Sequence, residues 1–266
     1  SLGIGYYLST SKIPCVYLQN SGLGNATDPL TNLISKNVYN VPIILLIGWR
    51  GAPSIQDEAQ HDIQGKILLD SLKLFEIKSL VVNNNKDLIK IEKIINYSKK
   101  KSARVAIIFK PKILSKIKNF YKKNNYKIFR KDFIFELLKK INKDTKIVSS
   151  VGFNSRELFY LRDKFNIKNG KDFLMVGGMG HTSMTALSMT KYSKSNVICL
   201  DGDGSFIMHM GSLSILKNFK ASNFKYILVD NESHESIGLQ PINIGKINFK
   251  ELSKSLGFKK YFFIKE

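Results

Sequence analysis

Short apolar runs without polar interruption recur along the chain: "VPIILLIGW", "RVAIIF", "TKIVSSVG", "NVICLDG" and "FKYILVDN". A strand apolar at every position has both faces covered, which points to a parallel sheet between helices rather than a half-solvated antiparallel one. Helix-length segments separate these runs. The first part reads as helix "SLGIGYYLST", strand "IPCVYLQNSG", helix "DPLTNLISKNVYN", strand "VPIILLIGWRG", helix "EAQHDIQGKILLDSLKLF", helix "DLIKIEKIINYSKKK" and strand "RVAIIF". The alternation restarts with helix "KDFIFELLKKI" and strand "TKIVSSVG", then helix "SRELFYLRDKF" and strand "DFLMVGG". Helix "TSMTALSMTKYS", strand "NVICLDG", helix "FIMHMGSLSILKNF" and strand "FKYILVDN" complete it. The expected fold class is α/β, with two doubly wound parallel-sheet domains over 1–112 and 131–266 and a basic linker over 113–130. Ligands of such sheets bind beyond the carboxyl ends of the strands, so the loops there are the place to look for chemistry.

With 266 residues, 43% of them hydrophobic, the chain can bury the core of one large or two modest domains. The longest apolar run, "VPIILLIGW", is too short to cross a bilayer, and no segment reads as a signal peptide. Cys15 and Cys199 both lie among apolar neighbours, which fits buried free thiols in a reducing compartment; a cytoplasmic protein without a membrane partner is expected. The formal net charge of +21 raises the question of nucleic acid. The lysines are scattered, densest over 110–133, and no helix-turn-helix, zinc-finger or RNA-recognition pattern accompanies them, so solvated faces are the preferred reading. "SLGIGYYLST" has no cap ahead of it and "GFKKYFFIKE" reads as the start of a strand; both suggest a fragment incomplete at each end.

The stretch "LDGDGSFIMHMGSL" follows the apolar "NVIC" directly. Gly202 and Gly204 give backbone freedom and close approach, Asp203 is a hard oxygen donor, and Ser205 is placed to cap the next helix. A carboxylate for a divalent cation beside helix N-terminal amides suits a diphosphate with Mg²⁺. The next strand ends at Asp230-Asn231. One helix, one loop and one strand separate Gly204 from Asn231, so Asp203 and Asn231 can share one edge of the sheet. "VGGMGHTS" also opens a helix after a strand, with Asp201 ending the next strand. Ser183 stands at the third glycine position of a dinucleotide fingerprint, which weakens a dehydrogenase reading.

GDG, an intervening segment and Asn resemble the thiamin-diphosphate motif. "VYLQNSGLGNATDPLTNL", "IGWRGAPSIQDEAQHDIQGK", "SRELFYLRD", "DFLMVGGMGH", "DGDGSFIMHMGSL" and "ESHESIGLQP", in this order, are similar to the thiamin-diphosphate-dependent decarboxylases of phosphonopyruvate and sulfopyruvate. The resemblance covers nearly all of the chain except the basic segment. It implies decarboxylation of a small 2-oxo acid, thiamin diphosphate and Mg²⁺ as cofactors, and at least a homodimer. By that match Asp203, Asn231 and the carbonyl of Ser233 hold the metal. Gly152, Gly177, Met179, Gly180, His181, Gly202, Gly204 and Ser205 line the cofactor, Gly177 through its carbonyl to the aminopyrimidine and Met179 as the wedge that bends it. His61 and Gln60 are the catalytic candidates, with His61 a proton relay. Arg50, Asn20, Ser21 and His234 are the substrate candidates, Arg50 offering a phosphonate its fork of donors or else forming an ion pair. His209, among apolar neighbours, is expected in the core. The family's activating glutamate is expected just ahead of Ser1. Val151 stands where the family commonly has Thr, and Leu239 where a second Gly is usual. Those departures keep open a thiamin-fold protein without turnover.

Overall fold

The computed structural model describes residues 1–115, 126–167, 171–219 and 221–265. The chain divides after residue 117 into two compact units. Most of the basic segment assigned to 113–130 lies outside the described residues.

The first unit runs α1 (Leu2–Thr10), β1 (Cys15–Gln19), α2 (Leu23–Asp28), β2 (Ile44–Gly48), α3 (Asp62–Leu74), β3 (Lys78–Val82), α4 (Leu88–Lys101) and β4 (Val105–Phe109). Its strands form a parallel sheet in the order β1-β2-β4-β3. β4 is central, and its Val105, Ala106, Ile107 and Ile108 are all buried, as expected of a strand covered on both faces. One core packs Ile47, Trp49, Leu68, Leu72 and Ile108 on one side of the sheet. Another packs Val82, Ile94, Val105 and Ile107 on the other. Gln19 pairs with Gly48, so "QNSG" and "GWRG" leave neighbouring strands at the same carboxyl edge.

The second unit runs α5 (Arg130–Lys140), β5 (Lys146–Ser149), α6 (Phe153–Lys164), β6 (Phe173–Leu174), α7 (Thr182–Lys191), β7 (Val197–Gly202), α8 (Asp203–Met208), α9 (Leu216–Phe219), β8 (Phe224–Val229), β9 (Ser233–His234), β10 (Gln240–Pro241) and α10 (Phe249–Ser255). A four-stranded parallel sheet has the order β6-β5-β7-β8, and β9 and β10 form an antiparallel hairpin. The α/β reading of both halves holds.

Several local expectations differ. Cys15 is exposed, not buried, because it opens β1 at the sheet edge; Cys199, in central β7, is buried as expected. "KSLVV" forms an edge strand that the pattern did not suggest. The segment "DPLTNLISKNVYN" makes only a single π-helical turn over Pro29–Leu33, while the preceding "LGNATD" is α2. The helix expected over "FIMHMGSLSILKNF" breaks at His209 and continues as a 3₁₀ stretch before α9. "GFKKYFFIKE" forms no strand among its described residues.

Candidate active site

In the first unit the loop after β2 is bound to the start of α3 and to the loop after β1. Asn20 is buried, and its side-chain amide donates to the Arg50 carbonyl at 2.9 Å while its oxygen accepts from the Arg50 N–H at 2.8 Å. Asn20 thus clamps the Arg50 backbone with both ends of its amide. Ser21 donates to the Gln19 side chain. Trp49 donates from its indole to the Gly65 carbonyl at 2.9 Å. Gly51 has φ +66°, and a Cβ on Gly65 would lie 1.8 Å from the Gly51 carbonyl oxygen, so only glycine fits at this crossing.

The Arg50 guanidinium is held by Asp57, Nε to Oδ2 at 2.8 Å and Nη2 to Oδ1 at 2.5 Å. The Arg50 side chain is therefore in an ion pair within its own loop. The same carboxylate accepts from the N–H groups of Gly51 at 2.7 Å and Glu58 at 2.8 Å, and faces His61 Nδ1 at 3.1 Å. The Arg50 guanidinium, ahead of these amides and the imidazole, holds the Asp57 carboxyl far below the usual carboxylate range. His61 is buried. Gln60 donates to Glu58 at 2.6 Å, and its amide oxygen is buried without a hydrogen-bond partner. Asp57 is absent from the residues picked out in the sequence, although its spacing four before His61 carries the signal.

In the second unit the carboxyl ends of β5, β7 and β8 lie side by side, with Ser149 paired to Leu200 and Gly202 to Val229. This register brings Asp203 and Asn231 together. Asp203 is 5% exposed; its carboxylate accepts from the Gly204 N–H at 2.8 Å and the Asn231 N–H at 3.2 Å. Burial pushes its carboxyl up. Asp230 is pushed up to about 6, first by burial and then by the neighbouring Asp203 charge. The Asn231 side-chain oxygen accepts from the Ser233 N–H at 3.2 Å, and its nitrogen donates to Glu235 at 3.0 Å. Arg130 anchors that loop, donating to Glu235 at 2.8 Å while gripping Glu157 through Nε at 2.9 Å and Nη2 at 2.8 Å.

Ser205 does not cap α8. The helix starts at Asp203, and the Ser205 hydroxyl instead accepts from the Gly180 N–H at 3.1 Å, tying "GGMGH" to the GDG turn. Beneath it, buried Asp201 accepts from the Tyr226 hydroxyl at 2.6 Å. Gly178 and Gly180 have φ of +65° and +90°, and Gly177 lies in the bend before them. Met179 is half-buried, and a Cβ on Gly204 would lie 3.0 Å from its terminal methyl and 2.8 Å from His234 Cε1. His209 is half-buried rather than in the core. Its ring lies 4.6 Å from that of His181, edge to face, because the helix break at this residue turns it toward the Gly180 turn. Burial lowers the pKa of His234. Gly152 takes φ +104° at the start of α6. Leu239 takes φ +63° in the β9–β10 turn, a conformation that explains why glycine suits that position.

Among the described residues no cluster of three or more His, Cys, Asp or Glu forms a metal site. The set at the end of β7 is instead one carboxylate, one amide and backbone oxygens, the hard-oxygen pattern of Mg²⁺. The Asp230 carboxyl beside Asp203, pushed up by burial and by the Asp203 charge, marks a concentration of negative charge that a cation on Asp203 would offset. These residues fit a Mg²⁺-diphosphate group.

Residues 159–264 match the family model described as the thiamine pyrophosphate enzyme, C-terminal TPP binding domain. Much of the second unit is thus similar to a domain class that binds thiamin diphosphate. More particularly, the chain is similar to phosphonopyruvate decarboxylase of Streptomyces viridochromogenes, 27% identical across 92% of this chain and 64% of the relative. The phosphonopyruvate decarboxylase of Streptomyces hygroscopicus is 25% identical over the same shares. The sulfopyruvate decarboxylase subunit beta of Methanocaldococcus jannaschii is 33% identical across 48% of this chain and 66% of that subunit. The resemblance drawn from the motifs is borne out by these relatives. The chain spans 64% of the length of the two phosphonopyruvate decarboxylases. No helix among the described residues is long and apolar enough to cross a membrane.

Proposed function

We propose that the protein takes part in thiamin-diphosphate- and Mg²⁺-dependent decarboxylation of 3-phosphonopyruvate to phosphonoacetaldehyde and CO₂, as a cytoplasmic homodimer or higher homo-oligomer. The observation that carries the reading is the coupling of a Mg²⁺-diphosphate oxygen set at the ends of β7 and β8 with similarity to two phosphonopyruvate decarboxylases across 92% of the chain. Domain limits of 1–112 and 131–266 belong to the same proposal.

When bound, thiamin diphosphate supplies the electron sink that lets a 2-oxo acid lose CO₂. Asp203, the Asn231 amide oxygen and the Ser233 carbonyl would hold Mg²⁺. Gly152, Gly202, Gly204, Ser205 and His181 would line the cofactor, with the Gly177 carbonyl and Met179 under its pyrimidine; Ser205 already fixes the Gly180 N–H. His61 would move a proton to or from the substrate beside Gln60, whose buried amide oxygen is open to a donor. Arg50 would meet the phosphonate while Asp57 braces it, with Asn20 and Ser21 framing the loop and His234 lining the pocket.

The sulfopyruvate reading is favoured by one observation, a sulfopyruvate decarboxylase of Methanosarcina acetivorans 27% identical across 89% of this chain. CO₂ release by the complete protein from phosphonopyruvate against sulfopyruvate tests the choice. A higher kcat/KM for phosphonopyruvate is expected, a higher value for sulfopyruvate replaces the substrate, and no release from either returns the chain to a non-catalytic thiamin fold.

A further inference from the structure

Resting on the decarboxylase reading, we propose that Asp57 is a positioning residue that sets both members of the Arg50–His61 pair: it braces the guanidinium and fixes His61 as its Nδ1–H tautomer, so that Nε2 is the nitrogen available to the substrate.

Four geometric facts carry this. The Asp57 side chain is nearly buried, at 10% exposure, and lies between the two candidates rather than in solvent. Its two oxygens take both the Nε and Nη2 edge of Arg50, at 2.8 and 2.5 Å, a paired fork that keeps a carboxylate ionised. It also accepts from the N–H groups of Gly51 and Glu58, so four donor groups already converge on it. An ionised carboxylate offers lone pairs only, so the His61 nitrogen 3.1 Å away must carry its hydrogen. The second ring nitrogen is then left unprotonated in the neutral imidazole, ready to accept. The loop between β2 and α3 supplies Arg50, Asp57, Glu58 and His61 to this cluster.

A merely structural Asp57 would hold the loop through Gly51 and Glu58 and leave the tautomer to chance. The two roles separate on substitution to alanine, which takes the acceptor away from His61 Nδ1. An asparagine would not separate them, because its NH₂ would face Arg50 and a backbone N–H in either orientation.

The chain has four histidines, so their imidazole nitrogens are resolvable by ¹⁵N NMR, with His61 assigned by its loss in His61→Asn. At about pH 8.5, some two units above the ordinary imidazole range, native His61 is expected to show protonated Nδ1 and unprotonated Nε2. Asp57→Ala is expected to lose this fixed form in favour of the Nε2-protonated tautomer, the commoner one for a neutral imidazole side chain in water. It should also lower kcat by about 100-fold, the scale of a positioned acid–base group, and raise KM through Arg50. Native His61 protonated at Nε2 overturns the proposal, and this needs no variant to fold. A folded Asp57→Ala that keeps the Nδ1–H tautomer overturns it as well, as does an unchanged kcat. Absence of CO₂ release by the native protein from either keto acid overturns the decarboxylase reading and with it the catalytic part of the proposal. The tautomer reading then still decides whether Asp57 positions His61.

Discussion

Replacing Gly204 by alanine sets two opposed effects against each other. Gly204 lies in the first turn of α8, outside the left-handed region, so alanine can adopt its backbone conformation and gains up to about 1 kcal/mol of helix propensity. The new Cβ, however, would lie 2.8 Å from His234 Cε1, 3.0 Å from His234 Nδ1 and 3.0 Å from the Met179 methyl. These obstacles are the ends of side chains, so they move rather than break the fold, at an overpacking cost of about 1–3 kcal/mol. The net loss is about 0–2 kcal/mol, a fall in Tm of up to about 6 °C. Gly211→Ala is the control: nothing lies within 4 Å of its Cβ position, and its Tm should hold or rise slightly. The larger effect of Gly204→Ala should fall on the cofactor, because Met179 and His234 are displaced into the space above the GDG turn. An affinity loss for thiamin diphosphate of about tenfold or more, about 1.4 kcal/mol, is expected by isothermal titration in the presence of Mg²⁺. Native affinity in a variant whose Tm is also native would refute the claim that backbone, His234 and Met179 enclose one site.

Acid should weaken the metal. Asp230 neighbours the proposed ligand Asp203 and is pushed up to about 6, so protonating it removes negative charge beside Mg²⁺; Mg²⁺-dependent cofactor affinity should fall below pH 6, by less than the roughly tenfold per unit of a direct ligand, and a flat profile between pH 5 and 7 would show that the Asp230 charge does not act on the metal. The same raised carboxyl favours the metal-free fold below about pH 4, and that stability is lost as pH rises through about 6. Because Asp230 is only partly buried, solvent screening reduces the effect to about 1 kcal/mol; thermal melts of metal-free protein should show a higher Tm at pH 4.5 than at pH 7 from this group. Met179→Leu nearly conserves volume and should keep most activity, whereas Met179→Ala should cut cofactor affinity or turnover with little change in Tm, since the residue is only half-buried; a large drop in Tm would make it a core residue. Leu239→Gly removes a left-handed strain of about 1–2 kcal/mol and adds about 0.5–1 kcal/mol of backbone entropy, so calorimetry should show an equal or slightly higher Tm, and a clear fall would mean that the Leu239 side chain contributes more by packing.

The parts of the site legible in the sequence are those that rest on strand spacing. Gly202 and Val229 are register partners, so a strand-to-strand interval was enough to bring Asp203 and Asn231 to one edge. The central strands were legible for the same reason, being apolar throughout. The edge strand "KSLVV" was not, because an edge needs cover on fewer positions and carries Lys78 and Ser79 exposed. Ser205 resembles a cap in sequence because capping and first-turn serines look alike; only the start of α8 at Asp203 shows that its hydroxyl meets the Gly180 N–H instead. His209 sits in an apolar helix pattern, but the helix breaks there, which no periodicity reveals. Asp57 carries one local signal, its spacing four before His61, but its grip on Arg50 requires the loop after β2 to fold back on α3 at the Gly51–Gly65 crossing.

The proposed activity depends on the second unit holding thiamin diphosphate through a metal on Asp203. Titration of the native protein and of Asp203→Ala with thiamin diphosphate, with and without Mg²⁺, tests it most directly. The account predicts binding by the native protein only with Mg²⁺, and none by Asp203→Ala at any Mg²⁺ concentration, since the metal loses its carboxylate ligand. Binding of equal strength by the folded variant, or native binding indifferent to Mg²⁺, would contradict it.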